Sequence, residues 1–446
     1  MNQHDPALPS SGPAVSSSPA FSSSAVSRRG LLRGGVAGAL GLAAAPLLAA
    51  CGSSKSGSGS GGGGVKNITM WGSFNGDQVK QINTQLAAFN NSQTAVHVTY
   101  QAQDIVETKL LTAIASGTNI PDVVLWDRYQ TSLYAPKGAL SAVDDLIARD
   151  KVDTADFFPA PYGEMTVGGK QYGLPMLVDN RSLVYNKTML DKAGIKPPTT
   201  WEELATAAQV LTRRDGGKLK VAGFALDDPG LFNVWILQAG GQMLSADKKS
   251  TAFNSPAGQA VLSFWDDLLH NKKVYELGFA QGVDGFGTGQ IAMKYDGPWN
   301  MPQYDKISGF EYGVVPPPAG LGGRGAITGG FGLVIPAQAK HRDAAWEFVK
   351  WWTTVPANGV AFAKIGSWLP GSVKASQDPY FGSGHWPAFV QTEGFAVVRP
   401  NVPGYSDVEG KALEPQLQNW MSGKTDAASA LKNAASQGDQ LLAKGV

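Results

Sequence analysis

The chain has 446 residues, with 37 Lys and Arg against 36 Asp and Glu, 12 Trp and one Cys. Arg28, Arg29, Arg33 and Asp5 are the only charged residues before position 51, so residues 51–446 carry 34 basic side chains (37 less three) against 35 acidic ones (36 less one). Without a basic surplus, neither nucleic acid nor an anionic lipid surface is a favoured partner; with one Cys no intrachain disulfide forms, so the fold must rest on its apolar core.

Residues 1–27 are rich in Ser, Pro and Ala, and Ser27-Arg28-Arg29-Gly30-Leu31-Leu32-Arg33 then leads into an apolar Gly/Ala-rich run ending in Leu48-Ala49-Ala50-Cys51. A basic stretch, an apolar stretch and small residues before a Cys resemble a twin-arginine export signal ending in a lipoprotein cleavage box. Small residues let the peptidase grip an extended backbone, and the Cys51 thiolate is the nucleophile that accepts the lipid. The competing reading is a membrane anchor over residues 31–50, just long enough to span but carrying Arg33, several Gly and Pro46. The expectation is a signal over residues 1–50, an exported protein lipid-anchored through Cys51 to the outer face of the cytoplasmic membrane, and a Ser/Gly-rich tether over residues 51–65 that cannot bury enough apolar surface to fold.

From residue 67 the texture alternates between strand and helix. Residues 68–71 read as a strand, and 79–90 as a helix with Val79, Ile82, Leu86 and Phe89 on one face. Residues 96–100 are a strand, 107–116 a helix closed by Gly117, and 122–126 a buried strand. That β-α-β-α-β order predicts a parallel sheet covered by helices, with ligands at the carboxyl ends of the strands, where the loops 73–76 and 126–129 lie. A second α/β body follows: strands over 183–186, 221–226, 291–295, 312–316 and 331–335, and helices over 232–239, 255–270 and 342–353. A further helix starts at Thr199-Thr200-Trp201-Glu202-Glu203, with Thr as N-cap and Glu reaching back in a capping box.

These segments carry a resemblance. Ile68-Thr69-Met70-Trp71, Pro121-Asp122-Val123-Val124-Leu125-Trp126, Gly173-Leu174-Pro175, Leu183-Val184-Tyr185-Asn186-Lys187, Ala193-Gly194-Ile195 and Pro198-Thr199-Thr200-Trp201-Glu202-Glu203-Leu204 follow one another in order. Gly289-Gln290-Ile291-Ala292-Met293 leads to Asp296-Gly297-Pro298-Trp299, and Gly329-Gly330-Phe331-Gly332 and Ala344-Ala345-Trp346-Glu347-Phe348-Val349 complete the set. Over residues 66–440 the chain resembles the extracellular solute-binding proteins of sugar ABC importers, above all those similar to maltose- and maltooligosaccharide-binding proteins. The resemblance implies an α/β, two-lobe periplasmic-binding-protein-like fold of type II, its lobes joined by a hinge that the chain crosses several times, near 178–179, 315–316 and 366–370. The lobes would be residues 66–178 plus 316–366 and residues 179–315 plus 367–446. It also implies a monomer that delivers its ligand to permease subunits served by a cytoplasmic ATPase, with no cofactor.

A sugar offers an apolar face for aromatic rings and a hydroxyl rim for charged hydrogen-bond partners, each worth roughly 1.5–3 kcal/mol. Trp126, at a strand end before Asp127, is either a stacking ring or the last core residue of that strand. Trp299, fixed by Gly297-Pro298, matches the family's aromatic platform, with Asp296 beside it as a contact or a turn cap. Trp368 lies near a crossing. Ser73 and Asn75 suit hydroxyl contacts or a simple turn; Asp179 is an acidic contact or the hinge partner of Arg181. Gly330 would let backbone approach a ligand, and Arg399 and Tyr405 occupy a late loop the family brings to its cleft. Trp346, Trp351 and Trp352 share a helix and read as packing. The first loop lacks the charged pair of the maltose binders, and Asp127 follows Trp126 directly where their acid lies further on, so the resemblance implies a carbohydrate without implying maltose. No nucleophile elbow, phosphate loop or zinc-protease motif occurs and the five His are scattered, so neither an enzyme nor a metal site is expected. A paired-carboxylate glycosidase and a binder of another solute such as a polyamine are the alternatives.

Overall fold

The computed structural model describes residues 64–444, which belong to one compact unit, Gly64–Val446. Arg28, Arg29, Cys51 and the tether up to residue 63 lie outside the described residues. Within them, no helix is long and apolar enough to cross a membrane.

In chain order the strands that position the site are β1 (Lys66–Gly72), β2 (Val96–Ala102), β3 (Val123–Asp127), β4 (Gly173–Pro175), β5 (Leu177–Asn180), β6 (Ser182–Asn186), β7 (Met293–Asp296), β8 (Tyr312–Val315), β9 (Ile327–Gly329), β10 (Phe331–Val334), β11 (Leu369–Pro370) and β12 (Val397–Val398). The first sheet has the order β2-β1-β3-β10-β4. β1 runs parallel to β2 and β3, whereas β10 is antiparallel to both β3 and β4. The expected parallel sheet therefore holds for its first three strands only. Flanked on both sides, β3 is covered on both faces, which is why Val123, Val124, Leu125 and Trp126 form an unbroken apolar run. Helix α1 (Asp77–Ser92) packs Ile82, Leu86 and Phe89 inward, and α2 (Val106–Ser116) ends where Gly117, at φ 67°, turns its N–H back to the Ala113 and Ile114 carbonyls.

A second, antiparallel sheet has the order β7-β6-β8. A four-stranded linking sheet, β11-β5-β9-β12, stands between the two in connectivity. β5 leaves the first sheet one residue after β4 and enters the second one residue before β6; β9 returns to β10 across the single residue Gly330. The body that continues from β6 holds α3 (Trp201–Leu211), whose N-cap Thr200 accepts from the Glu203 amide at 3.2 Å. The Glu203 carboxylate reaches back to Thr199, N–H and hydroxyl both at 2.7 Å, one residue beyond a standard capping box.

Two expected elements differ. The run 221–226 pairs only in part: Val221 ends a hairpin of Lys218–Val221 with Arg213–Asp215, Ala222 makes a single parallel bridge to Ile291, and the Ala225 N–H donates to the Met293 carbonyl at 3.0 Å. There Gly223 presses on the Ala208 carbonyl of α3, leaving no room for a Cβ, and Phe224 is buried. The apolar character reflects packing under a helix together with this short pairing to residues 290–293. The helix expected over 255–270 is α-helical over Pro256–Asp266 and continues as a π turn, Asp267–Asn271. The helix over Arg342–Thr353 falls where expected, with Trp346 and Trp352 fully buried.

Candidate functional site

β3 ends on Asp127, and the chain turns at once through Arg128–Gln130. Arg128 is 0% exposed. Its Nε donates to Glu164 Oε2 at 3.0 Å, Nη1 to the Leu177 carbonyl at 2.6 Å and Nη2 to the Gly329 carbonyl at 2.5 Å. One guanidinium thus ties β3, the short helix Pro159–Glu164, β5 and β9 together where the chain passes between sheets. Gly330, at φ 119°, completes the knot: a Cβ there would stand 2.5 Å from the Leu177 carbonyl and 2.8 Å from Arg128 Nη1. Its missing side chain serves this close approach of protein to protein.

Against this knot lies a cavity of about 320 Å³. The first sheet contributes Asp127 and Phe331, the linking segments Asp179, Arg181, Gly329 and Gly330, and the second body Asp228, Leu231, Asn233, Val234, Arg399, Glu409 and Glu414. Asn233, Ile327 and Arg399 also line an adjoining compartment of about 680 Å³ that runs past Glu164, Val167, Leu237, Met243 and Val397. Both volumes fall in or near the range of about 300–1,000 Å³ that small-molecule sites occupy.

The polar groups of the smaller cavity are incompletely partnered. Among the described residues, the Asp127 and Asp179 carboxylates accept no hydrogen bond and make no ion pair within 4.0 Å. Burial pushes Asp127 up to about 7 against the pull of Arg399, and it raises Asp179 against the pull of Arg181. Glu414 is raised by burial and then by its neighbours Asp228 and Glu409. Glu409 Oε1 accepts from Asn233 Nδ2 at 2.9 Å and from the Tyr405 hydroxyl at 2.7 Å, and Oε2 lies 3.9 Å from Arg399. Both guanidiniums rest on rings, Arg399 over Tyr129 at 4.7 Å and Arg181 over Trp299 at 5.2 Å. The expected alternative for Asp179, a hinge ion pair with Arg181, is not formed. Half-buried acceptors beside fixed donors suit a ligand that both gives and accepts hydrogen bonds, as hydroxyl groups do.

Of the residues singled out in the sequence, Asp127, Asp179, Gly330 and Arg399 line the cavity. Trp299 is half-buried and outside the lining, and Arg181, which does line the cavity, lies over its ring. Trp368 is a supporting ring: 8% exposed, it stacks on Phe74 at 6.4 Å and leans on Trp299 at 6.0 Å. Phe74 in turn meets Phe331 edge-on at 5.1 Å, and Phe331 is the member of this cluster that reaches the cavity.

Five expectations are corrected. Trp126 is 0% exposed, donates Nε1 to Thr131 Oγ1 at 3.2 Å and packs edge-on to Tyr134, so no face is free for stacking. Side chains alternate along a strand, so Asp127 facing the cavity turns Trp126 away from it. Asp296, 4% exposed, caps its own turn, accepting from the Gly297 N–H and Asn300 Nδ2 at 2.8 Å each and from the Tyr304 hydroxyl at 2.5 Å. Tyr405, 3% exposed, is a core ring that positions Glu409 and does not line the cavity. Ser73 and Asn75 are exposed and lie outside the lining; the loop instead turns Phe74 inward.

Arg128, Asn233, Glu409 and Glu414 escaped the sequence reading, and Arg181 entered it only as a hinge partner of Asp179. Asn233 had a signal, a lone amide in the apolar run Phe232-Asn233-Val234-Trp235-Ile236. The others are charges on separate elements that only folding brings together.

A family model described as "Bacterial extracellular solute-binding protein" matches residues 73–359. The diacetylchitobiose binding protein DasA of Streptomyces coelicolor is 26% identical over 406 residues, 86% of this chain and 92% of that protein. Among solved structures, the GacH receptor of Streptomyces glaucescens, determined unliganded and with acarbose and an acarbose homolog, matches with a TM-score of 0.72 at 26% identity, covering 86% of this chain and all of that one. The sugar-binding protein MalE of Xanthomonas citri matches with a TM-score of 0.76 at 24% identity, covering 85% and 98%. The chain shares the two-lobe, mixed α/β fold of these structures.

Proposed function

The chain belongs to the bacterial extracellular solute-binding proteins, and from that premise we propose that it is the exported, lipid-anchored binding protein of an ABC importer, a monomer that captures a sugar or oligosaccharide between its lobes and passes it unchanged to the permease. The lobes of this reading are residues 66–178 plus 316–366 and residues 179–315 plus 367–446. The observation that carries it is the cavity whose lining comes from both bodies and whose Asp127 and Asp179 carboxylates lack partners. Sugar hydroxyls donate to these acids, Arg181 and Arg399 donate to the sugar oxygens, and the Phe331 ring offers an apolar wall. The adjoining compartment gives a longer ligand room to continue. A ligand that touches both lobes favours the closed arrangement by its differential affinity for it.

In a thermal-shift panel of mono- and oligosaccharides, a cognate sugar at a hundredfold excess over its Kd should stabilise the protein by about 2.7 kcal/mol, and chromatography of the mixture should recover the sugar intact. A panel in which no carbohydrate raises Tm, or a sugar returned cleaved, would end this reading. Anchoring has its own test. Cys51→Ser should move the protein from the membrane fraction into the soluble exported fraction without changing sugar affinity; a variant still sedimenting with membranes would refute a lipid at Cys51.

A further inference from the structure

Within the reading of this cavity as a sugar site, its charge is unbalanced. Five carboxylates, on Asp127, Asp179, Asp228, Glu409 and Glu414, face two guanidiniums, on Arg181 and Arg399. Both guanidiniums already lie on aromatic faces. Among the described residues, the Asp127 and Asp179 carboxylates that line the cavity accept no hydrogen bond. The cavity is therefore short of donors as well as of positive charge. A neutral sugar supplies hydroxyl donors but no positive charge to set against the surplus of acidic groups. A metal ion does not answer the pattern, because among the described residues no three His, Cys, Asp or Glu converge as ligands. The charge is spread over about 320 Å³, the scale of an organic cation. A protonated amine on a sugar ring brings up to three N–H donors and one positive charge.

We propose that this cavity selects a sugar bearing a protonated amine over the same sugar in neutral or N-acylated form. Titration calorimetry on the purified full chain at neutral pH would compare the free-amine glucosamine disaccharide, its N,N′-diacetyl form, the neutral glucose disaccharide and spermidine. Charged hydrogen bonds outweigh neutral ones enough to make the free-amine disaccharide about tenfold tighter than either sugar counterpart. Glu414→Gln and Asp179→Asn should each narrow that ratio. Added salt should weaken the amine ligand more than the neutral one, a readout on the unaltered protein should a variant not fold. Equal or tighter binding of the acetylated or neutral disaccharide overturns the inference and leaves the sugar reading standing. No binding by any sugar, or binding by spermidine alone, overturns both.

Discussion

Arg128→Met is expected to lower the stability of the folded body by about 3–5 kcal/mol, the usual cost of removing one partner of a buried ion pair. The guanidinium is 0% exposed and the Glu164 side chain 3% exposed. Without the arginine, the Glu164 carboxylate stays buried without its ion-pair partner, and the Leu177 and Gly329 carbonyls lose their donors. A thioether can replace none of these. The measurement is the urea midpoint, compared at matched slope. Arg128→Met combined with Glu164→Leu should recover part of the loss, because the stranded charge is gone while the two carbonyls remain without donors. A single variant as stable as the parent would show that the knot is dispensable. Binding should fall too, since Asp127, Asp179 and Gly330 are all positioned by strands that Arg128 joins.

Stability should also decline as the pH is raised from 5 to 8, in part through Glu393. This side chain is 4% exposed and lies under the linking sheet, where Oε1 accepts from the Thr328 hydroxyl at 2.6 Å and Oε2 from Asn180 Nδ2 at 3.0 Å. Burial pushes its pKa from 4.5 to about 7, with those two hydrogen bonds acting against the shift. The folded chain holds the proton more tightly than the unfolded one. Hence there is no penalty below about pH 4.5, a growing one as pH rises through the window up to about 7, and a constant one above it. A shift of that size corresponds to roughly 3 kcal/mol. Asp127 acts in the same direction between its ordinary value of 3.8 and about 7. Asp150, held low first by Arg149 and then by Lys350 and Trp346, works the opposite way. Its contribution is present above the ordinary carboxylate range and is lost on acidification, outside this window. Glu393→Gln should be more stable than the parent at pH 8 and show a shallower decline in urea midpoint between pH 5 and 8. Parallel profiles for the two proteins would refute the assignment to Glu393.

Much of the scaffold was legible because its signals are local. The apolar periodicity of α1, the αL cap at Gly117 and the Thr200 cap are each contained within a few residues, so no distant partner could overturn them. The run 221–226 was legible only in part, because burial without periodicity looks the same whether a segment pairs along its whole length or bridges at one residue and lies beneath a helix. Asp127 and Asp179 came from resemblance joined to position at strand ends. Trp126 failed because its neighbour Asp127 takes the cavity side of the same strand, and only the observed facing reveals which of two adjacent residues that is.

By itself, the sequence determined most of the order of strands and helices and the family; each is written in residues close together along the chain. The tertiary structure alone decided that Arg128 joins four segments, that Glu409, Glu414 and Asn233 of the second body meet Asp127 of the first sheet, and that Asp296 and Tyr405 face inward to other tasks. The physical reason is that a charge acts over distances of space rather than of sequence. Which carboxylates share a cavity, and which find a partner first, is fixed only when the strands that carry them are brought side by side.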